Sequence, residues 1–398
     1  ELASIDREIA AYAGCRKELQ AAYEAAWDRY QFQLARTGME DRGPVSCLAG
    51  FVPEKNIAKL RRSSEQEGWG LFLREVNPDD HPPTLIEYPA WVKPIKTVFD
   101  LIKVVPGYFE TDISLPFFLF LSLFFAMIVG DAGYGALFIL ATLAARRFTP
   151  LPGHAFWLLL VMSGSTVVWG LLTGNIFGLE ALPAAFRPLQ IEWLTGPDAD
   201  RHLMLLCFVI GAVQLSLAHV WRFLLLLPGL TALAQLGWIM VTWSMFFLAR
   251  RFVLLEQFPD FMYIILGSGL VLITAFMRPL RSIGRNWPEY VRLPLDLISS
   301  FVDLVSYIRL FAVGMATYAI AAAFNEMAAE VGSGGFFYGL LAACVIFFGH
   351  GLNILLATMG VLVHGVRLNT LEFAGHTGIQ WSGRPFKPFV RSRTERQI

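Results

Sequence analysis

The hydrophobic pattern divides the chain into a polar first part and an apolar remainder. Within residues 1–36 a narrow seam of Leu2, Ile5, Ile9, Tyr12, Leu19, Tyr23, Ala26 and Tyr30 recurs at three- and four-residue steps, with Arg16 the one polar intruder. Charged residues fill the other faces, so residues 1–40 are predicted to be a helix that pairs with another as a coiled coil. The partner helix is expected in a preceding segment or in another chain. After the turn signals Asp41, Arg42, Gly43 and Pro44, residues 41–94 are predicted to form a small α/β lobe and its linker. The lobe reads as strand Val45–Phe51, helix Pro53–Glu67 with proline in its first turn, a stop at Gly68, and strand Gly70–Val76 alternating Leu71, Leu73 and Val76 with polar neighbours. The proline-bearing stretch Asn77–Pro94 reads as the linker.

From residue 95 to 380 the pattern becomes one of long apolar runs, each near the roughly 20 residues that a bilayer crossing needs. They fall near 112–130, 131–145, 155–179, 203–227, 229–249, 259–277, 295–330 and 336–372. The predicted fold is therefore an all-α polytopic membrane domain of about eight transmembrane helices, the last two long and tilted. The first two runs also read as one long helix broken at Gly130, Asp131, Ala132 and Gly133. Charge placement favours eight crossings. The loop 278–294 carries Arg278, Arg281, Arg285 and Arg292, and the tail 381–398 carries Arg384, Lys387, Arg391, Arg393 and Arg396. Positive loops face the cytoplasm, as the charged N-terminal lobe does, so six crossings precede the loop. Arg250 and Arg251 then fall on the outer side, against the rule.

Composition sharpens this picture. Hydrophobic residues make up 55% and charged residues 16% of the chain, against roughly 25% charged in a soluble domain. Lysine is missing between Lys103 and Lys387. The formal net charge of zero argues against a nucleic-acid binder, and the apolar content excludes a disordered chain. Cys15, Cys47, Cys207 and Cys344 form no CxxC pair, and read as ordinary small residues rather than metal ligands or disulfides. The chain opens on Glu1 rather than Met, so a native beginning is expected to precede it.

Ionisable side chains inside a membrane span cost about 2.5–3.5 kcal/mol each and point to function. Arg309 falls within the seventh run and Arg367 within the last. Helical steps from Arg309 reach Ala312 or Val313, Ala316, Ile320 and Ala323, a face almost without bulk that another surface can approach closely. The face of Arg367 reads Gly349, Asn353, Gly360 and His364. The plain alternative is that each arginine pairs with an internal carboxylate such as Asp303 or Glu372, or snorkels to an interface. An arginine stays charged even when desolvated, so it can ionise an approaching carboxylic acid and block a straight proton leak. His350 and His364 either relay protons or serve packing and hydrogen bonding. Asp131 reads either as functional or, preferably, as the cap of a helix in a glycine-rich turn. Asn325 and Glu326 either line a water-filled entry or are interface polar residues. No GxxxxGK[ST], HExxH or GxSxG pattern occurs, and no cofactor is predicted.

These motifs resemble one family, the membrane stator subunit (subunit a or subunit I) of V-type and archaeal or bacterial V/A-type rotary ATPases. The resemblance runs from about residue 45 to 380. It rests on Gly50–Pro53, Pro82–Thr84, Phe124–Gly135, Trp169–Gly170 with Phe177–Gly178, Ser306–Ala312, Gly349–Asn353 and Val363–Leu368. It implies a non-catalytic subunit that grips a ring of proteolipid subunits, each bearing one carboxylate, and carries protons through two aqueous half-channels. Arg309 would take the place of the family's essential arginine and Arg367 that of the supporting one. Ser306, Asn325, Glu326, His350, Asn353, His364 and Glu372 are candidates to line the half-channels. The implied partners are the proteolipid ring, peripheral stalk subunits, a central-stalk collar subunit, the soluble ATPase head and the bilayer. Two departures stand out: most of the family's large N-terminal domain is not in this chain, and Ala357 replaces a glutamate that many relatives carry ten residues before the second arginine. A self-contained secondary transporter is the rival reading. Such proteins often show related halves, and no repeat links residues 112–277 with 278–398.

Overall fold

A computed structural model describes residues 2–179, 186–277, 287–332 and 334–389, and separates them into two compact units. Arg278, Arg281 and Arg285 of the predicted basic loop, and Arg391, Arg393 and Arg396 of the predicted tail, lie outside the described residues. The first unit holds residues 1–86, 107–109 and 383–398, and the second holds 87–106 and 110–382.

In the first unit, α1 (Leu2–Thr37) matches the predicted seam helix. Its described seam residues Tyr12, Leu19, Tyr23 and Tyr30 are exposed, as are most described residues of its other faces. The lobe departs from β-α-β. Strands β1 (Glu40–Arg42) and β2 (Val45–Cys47) form an antiparallel hairpin across Gly43, whose φ of +72° suits the turn. Helix α2 (Ile57–Glu67) follows a 3-10 turn at Glu54–Asn56 and stops at Gly68 in the left-handed region, as predicted. Residues 70–77 have no strand assignment. Alternation alone does not make a strand where no neighbouring ladder pairs with it.

The second unit is built of helices joined by loops, with a single isolated bridge between Ile176 and Leu179 among its described residues. After α3 (Lys96–Ile102), its apolar helices are α4 (Ser114–Val129), α5 (Ala132–Phe148), α6 (Gly153–Thr173), α8 (Ala199–Leu226), α9 (Ala232–Val253), α10 (Phe261–Phe276), α11 (Trp287–Val305) running into α12 (Ile308–Gly332), and α13 (Phe336–Gly360). A single turn, α7 (Glu192–Thr195), precedes α8, and α14 (Ala374–Thr377) ends the last span. Each of the eight predicted runs corresponds to one of these helical stretches. By length and composition five of them cross a membrane singly, or six if α4 and α5 count as one broken span. The 120° bend between α4 and α5 falls at Gly130, in the left-handed region with φ +66°. Asp131 caps α5 by accepting from the Tyr134 backbone N–H at 3.0 Å. Its other oxygen accepts from the Gly178 N–H at 2.8 Å, which ties the loop after α6 to the same corner. Gly170 makes that corner possible, since a Cβ there would lie 2.1 Å from the Ala132 nitrogen.

The core is a continuous apolar cluster of Phe117, Phe124, Ile128, Phe208, Leu215, Ile273, Leu304 and Phe373, with Tyr307 at its centre. Arg250, at the C-terminal end of α9, stands beside an acidic residue. Glu256 pairs with it and also receives Arg201 at 3.1 Å, while its guanidinium lies 5.3 Å from the Phe247 ring centre.

Candidate functional site

The seventh run is not one straight helix. Backbone bonding changes at Ser306 and Tyr307, so Arg309 stands in the first turn of α12 rather than mid-helix. At the break the Ser306 carbonyl accepts from the Arg309 backbone N–H at 3.3 Å and from Arg309 Nε at 2.9 Å. Arg309 Nη2 then donates to Glu372 Oε1 at 2.6 Å. The pairing with an internal carboxylate therefore occurs, and the partner is Glu372 rather than Asp303.

Arg367 shares that carboxylate. Its Nε lies 3.6 Å from the same Oε1 of Glu372. Five residues along an α-helix turn about 500°, which would leave two such side chains about 140° apart. The last span avoids this by switching to π-helical hydrogen bonding at Val361–Gly365 and again at Leu368–Phe373. The wider π turn brings residues five apart to about 50° of one another. Glu372 is thereby turned inward, with its side chain 3% exposed, while the Arg309 and Arg367 side chains are 22% and 54% exposed. Its second oxygen, Oε2, is buried with no hydrogen-bond partner among the described residues.

The small and polar stripe expected around Arg367 packs the helices together. A Cβ on Gly349 would lie 2.3 Å from the Phe324 ring, and one on Gly360 would lie 3.0 Å from Val313, so this is the seam between α12 and α13. Ala357 is buried in that packing and keeps the seam uncharged. Asn353 turns away from Arg367: its Nδ2 donates to the Thr317 carbonyl at 2.8 Å and to the Tyr134 hydroxyl at 3.0 Å. Tyr134 O–H donates in turn to His350 Nδ1 at 2.6 Å, and His350 Nε2–H to Asn325 Oδ1 at 3.0 Å. Asn325 Nδ2 donates to the Phe177 carbonyl at 2.6 Å, which fixes the direction of the whole chain and a neutral imidazole. Glu326 is exposed. His364 is not joined to this chain, and its Nδ1 is buried without a partner among the described residues.

Two cavities flank the arginine region at opposite ends of α8, a helix of 28 residues that spans about 42 Å. One, of 540 Å³, lies where α6 ends and α8 begins, and reaches Asn175, Asp200, Cys207, Leu310 and Gly314. The other, of 500 Å³, lies where α8 ends and α9 begins, and is lined by His219, Gln235, Asp296, Asp303 and His376. Between Cys207 and His219 on α8, and between Leu310 on α12 and Asp303 on α11, stands a buried ladder. Tyr307 O–H donates to Gln214 Oε1 at 2.9 Å, Gln214 Nε2 to Asn369 Oδ1 at 2.9 Å, and Asn369 Nδ2 to the Gly365 carbonyl at 3.3 Å. All three side chains are wholly buried. Gly211 leaves room for the Tyr307 ring, which a Cβ there would meet at 2.8 Å. The second cavity carries its own polar line. His376 bonds Asp303 at 3.1 Å and His219 at 3.0 Å, and His219 bonds Gln235 at 2.9 Å.

Sequence reasoning missed Gln214, Tyr307, Asn369, His219, Gln235 and His376. They are scattered over four apolar stretches, with Gln214 and His219 sharing α8, and no motif spacing links them. The available signal is the cost of a lone polar group within a membrane run, which applies to them as it does to the arginines.

No protein-family model matches the chain. Comparison with curated proteins finds V-type ATP synthase subunit I of Borreliella burgdorferi, 34% identical over 91% of this chain and 63% of that protein. V-type ATP synthase subunit I 1 of Treponema pallidum is 32% identical over 87% of this chain and 58% of that protein. A-type ATP synthase subunit I of Thermococcus kodakarensis is 26% identical over 90% and 55% respectively. The chain spans about three fifths of the length of these relatives. The polytopic helical fold agrees with this similarity, along most of the chain, to subunit I of V-type and A-type ATP synthases.

Proposed function

We propose that the chain is the ion-conducting part of a rotary ATP synthase stator, working against a ring of proteolipid subunits that each carry one membrane carboxylate. The observation that carries this reading is the pair of cavities at opposite ends of α8, divided by the buried Tyr307–Gln214–Asn369 ladder with Arg309 beside it. Two blind entries that do not meet suit a path that must be completed by a moving partner. From Arg309, Ala312, Ala316, Ala319 and Ala323 continue along an exposed face of α12, a groove shallow enough for a rotating helix to pass.

In this mechanism the cavity with Asn175 and Asp200 opens to the outer side, and the cavity with Asp303 and His376 opens to the cytoplasm. Protons reach the ring from one, travel with it, and leave by the other. The buried ladder is neutral and its Tyr307, Gln214 and Asn369 groups bond one another, so it keeps the two cavities apart without itself carrying charge. Arg309 remains a cation at the passage point and holds the passing carboxylate ionised, which commits it to unload before it passes. The chain supplies no nucleotide chemistry, and the ATPase head, central collar and peripheral stalks are the other partners of the complex. The N-terminal lobe and C-terminal tail lie on the cytoplasmic side. Replacing Arg309 by alanine in the assembled, proteoliposome-reconstituted complex tests this. ATP-driven acidification is expected to vanish while the ring still co-purifies, and undiminished pumping by the variant would overturn the proposal.

A further inference from the structure

We infer that Glu372 and Arg367 form a charge-exchange pair that lets Arg309 alternate between an internal carboxylate and the carboxylate of a passing ring subunit. The inference rests on the stator reading above. Two cations share one anion at this site: Arg309 Nη2 at 2.6 Å and Arg367 Nε at 3.6 Å from the same Glu372 oxygen. The group carries one net positive charge, not two, and its anion is the most deeply buried member.

A buried carboxylate cannot be left without a counter-ion. If Arg309 turned to a ring carboxylate and nothing replaced it, Glu372 would be stranded. Arg367 removes that cost, because it already stands about 1 Å beyond a normal ion-pair distance from the oxygen that Arg309 vacates. As Arg309 leaves, Arg367 closes on Glu372, and when the ring carboxylate moves on, Arg309 returns. Two anions and two cations are paired at the moment of passage, and no charge is left alone at either end. The π-helical turns serve this exchange by placing Arg367 and Glu372 on one side of the span despite their five-residue separation. Besides these groups, His364 on the same span faces both arginines electrostatically, and Tyr307 and the Asp303–His376 pair are titratable side chains on the packed helices.

The two neutral variants push the exchange in opposite directions. Arg367→Gln leaves Glu372 dependent on Arg309 alone, so the arginine is withheld from the ring. Glu372→Gln frees Arg309, so the ring carboxylate is held too tightly in its ionised form. Carbodiimide reacts with a carboxylic acid only in its protonated form, so its rate of attack on the ring carboxylate at fixed pH reads this directly. In the assembled complex, Glu372→Gln is expected to slow labelling at least about twofold and Arg367→Gln to accelerate it by a similar factor. In the double variant nothing internal competes for Arg309, so labelling should stay slow as in Glu372→Gln rather than fast as in Arg367→Gln, and pumping should be at least about fivefold faster than in Arg367→Gln alone. Shifts of the same sign in both single variants, or a double variant no better than Arg367→Gln, would overturn the exchange. Where Arg367→Gln does not assemble, the labelling change in the isosteric Glu372→Gln alone decides, and an unchanged or faster rate refutes it. Arg309→Ala runs beside them: normal pumping there sinks the stator reading itself, whereas its loss with same-sign shifts sinks only the exchange.

Discussion

Two polar networks cross the membrane unit, and they are built on opposite plans. The chain from Asn353 through Tyr134, His350 and Asn325 to the Phe177 carbonyl is neutral and runs in one direction. It joins α5, α12, α13 and the loop after α6, and Asp131 anchors its corner with two accepted bonds. The group of Arg309, Arg367 and Glu372 is charged and under-satisfied: one carboxylate oxygen serves two arginines while the other has no partner among the described residues. A neutral network that ties four elements together fixes helices relative to one another, even with Asn353 Oδ1 buried and unpartnered among the described residues. One with an uneven count of charges has alternative pairings of similar energy, which movement requires. We therefore assign scaffolding to the first and ion handling to the second.

The strongest break of that comparison is at Arg309. Arg309→Lys is expected to abolish coupled transport in an assembled complex, since a lysine cannot hold Ser306, Glu372 and a ring carboxylate with one planar fork. Arg367→Lys should retain a measurable fraction of ATP-driven acidification per assembled complex, because its contact with Glu372 is looser and its head more exposed. Equal and complete loss from both lysine variants would erase the distinction between them.

Changes in the neutral network should act on stability instead. Asp131→Ala removes the cap of α5 and strands the Gly178 N–H in a buried corner, a cost of about 2–4 kcal/mol. Tyr134→Phe removes one accepted and one donated bond and should cost about 1–3 kcal/mol. Thermal unfolding in detergent measures both. Pumping per assembled complex should remain, and a Tyr134→Phe complex of normal stability that fails to pump would move this network into the ion path.

Much of this was legible in advance, and the reasons differ by residue. Arg309 and Arg367 stand out because a fixed cation in an apolar run is expensive, and Glu372 follows as one of two carboxylates within reach. Asp131 is legible because a short acceptor before Ala132 and Gly133 is local capping chemistry. The eight apolar runs are legible from length. The π turns are not, because they answer to contacts around Gly365 and Asn369 rather than to any local residue pattern. Nor is the ladder of Gln214, Tyr307 and Asn369, whose members lie 93 and 155 residues apart and meet only through packing. The unpaired segment 70–77 shows the converse error, alternation without a ladder.

An ion pair in water sets the lower end of the scale. In the lobe, the Arg74 guanidinium bonds Asp80 at 2.6 Å and, with the Asn77 backbone N–H, holds its carboxyl below the usual carboxylate range. Such a group stabilises the fold above its unfolded pKa of about 3.9, and that contribution is lost as pH falls through the lower folded value. Asp80→Asn should make protease resistance of the lobe slightly less sensitive to acid. A larger acid effect in the variant than in the wild type would reverse that sign.

The measurement that bears most directly on the central claim is a structure of the assembled complex with its ring. The account predicts that the face of Ala312, Ala316, Ala319 and Ala323 meets a ring helix. It predicts the Arg309 guanidinium within about 4 Å of a ring carboxylate, with Glu372 then drawn to Arg367. A ring seated elsewhere, or Arg309 turned away from it toward Glu372 while every ring carboxylate lies beyond reach, would contradict the account.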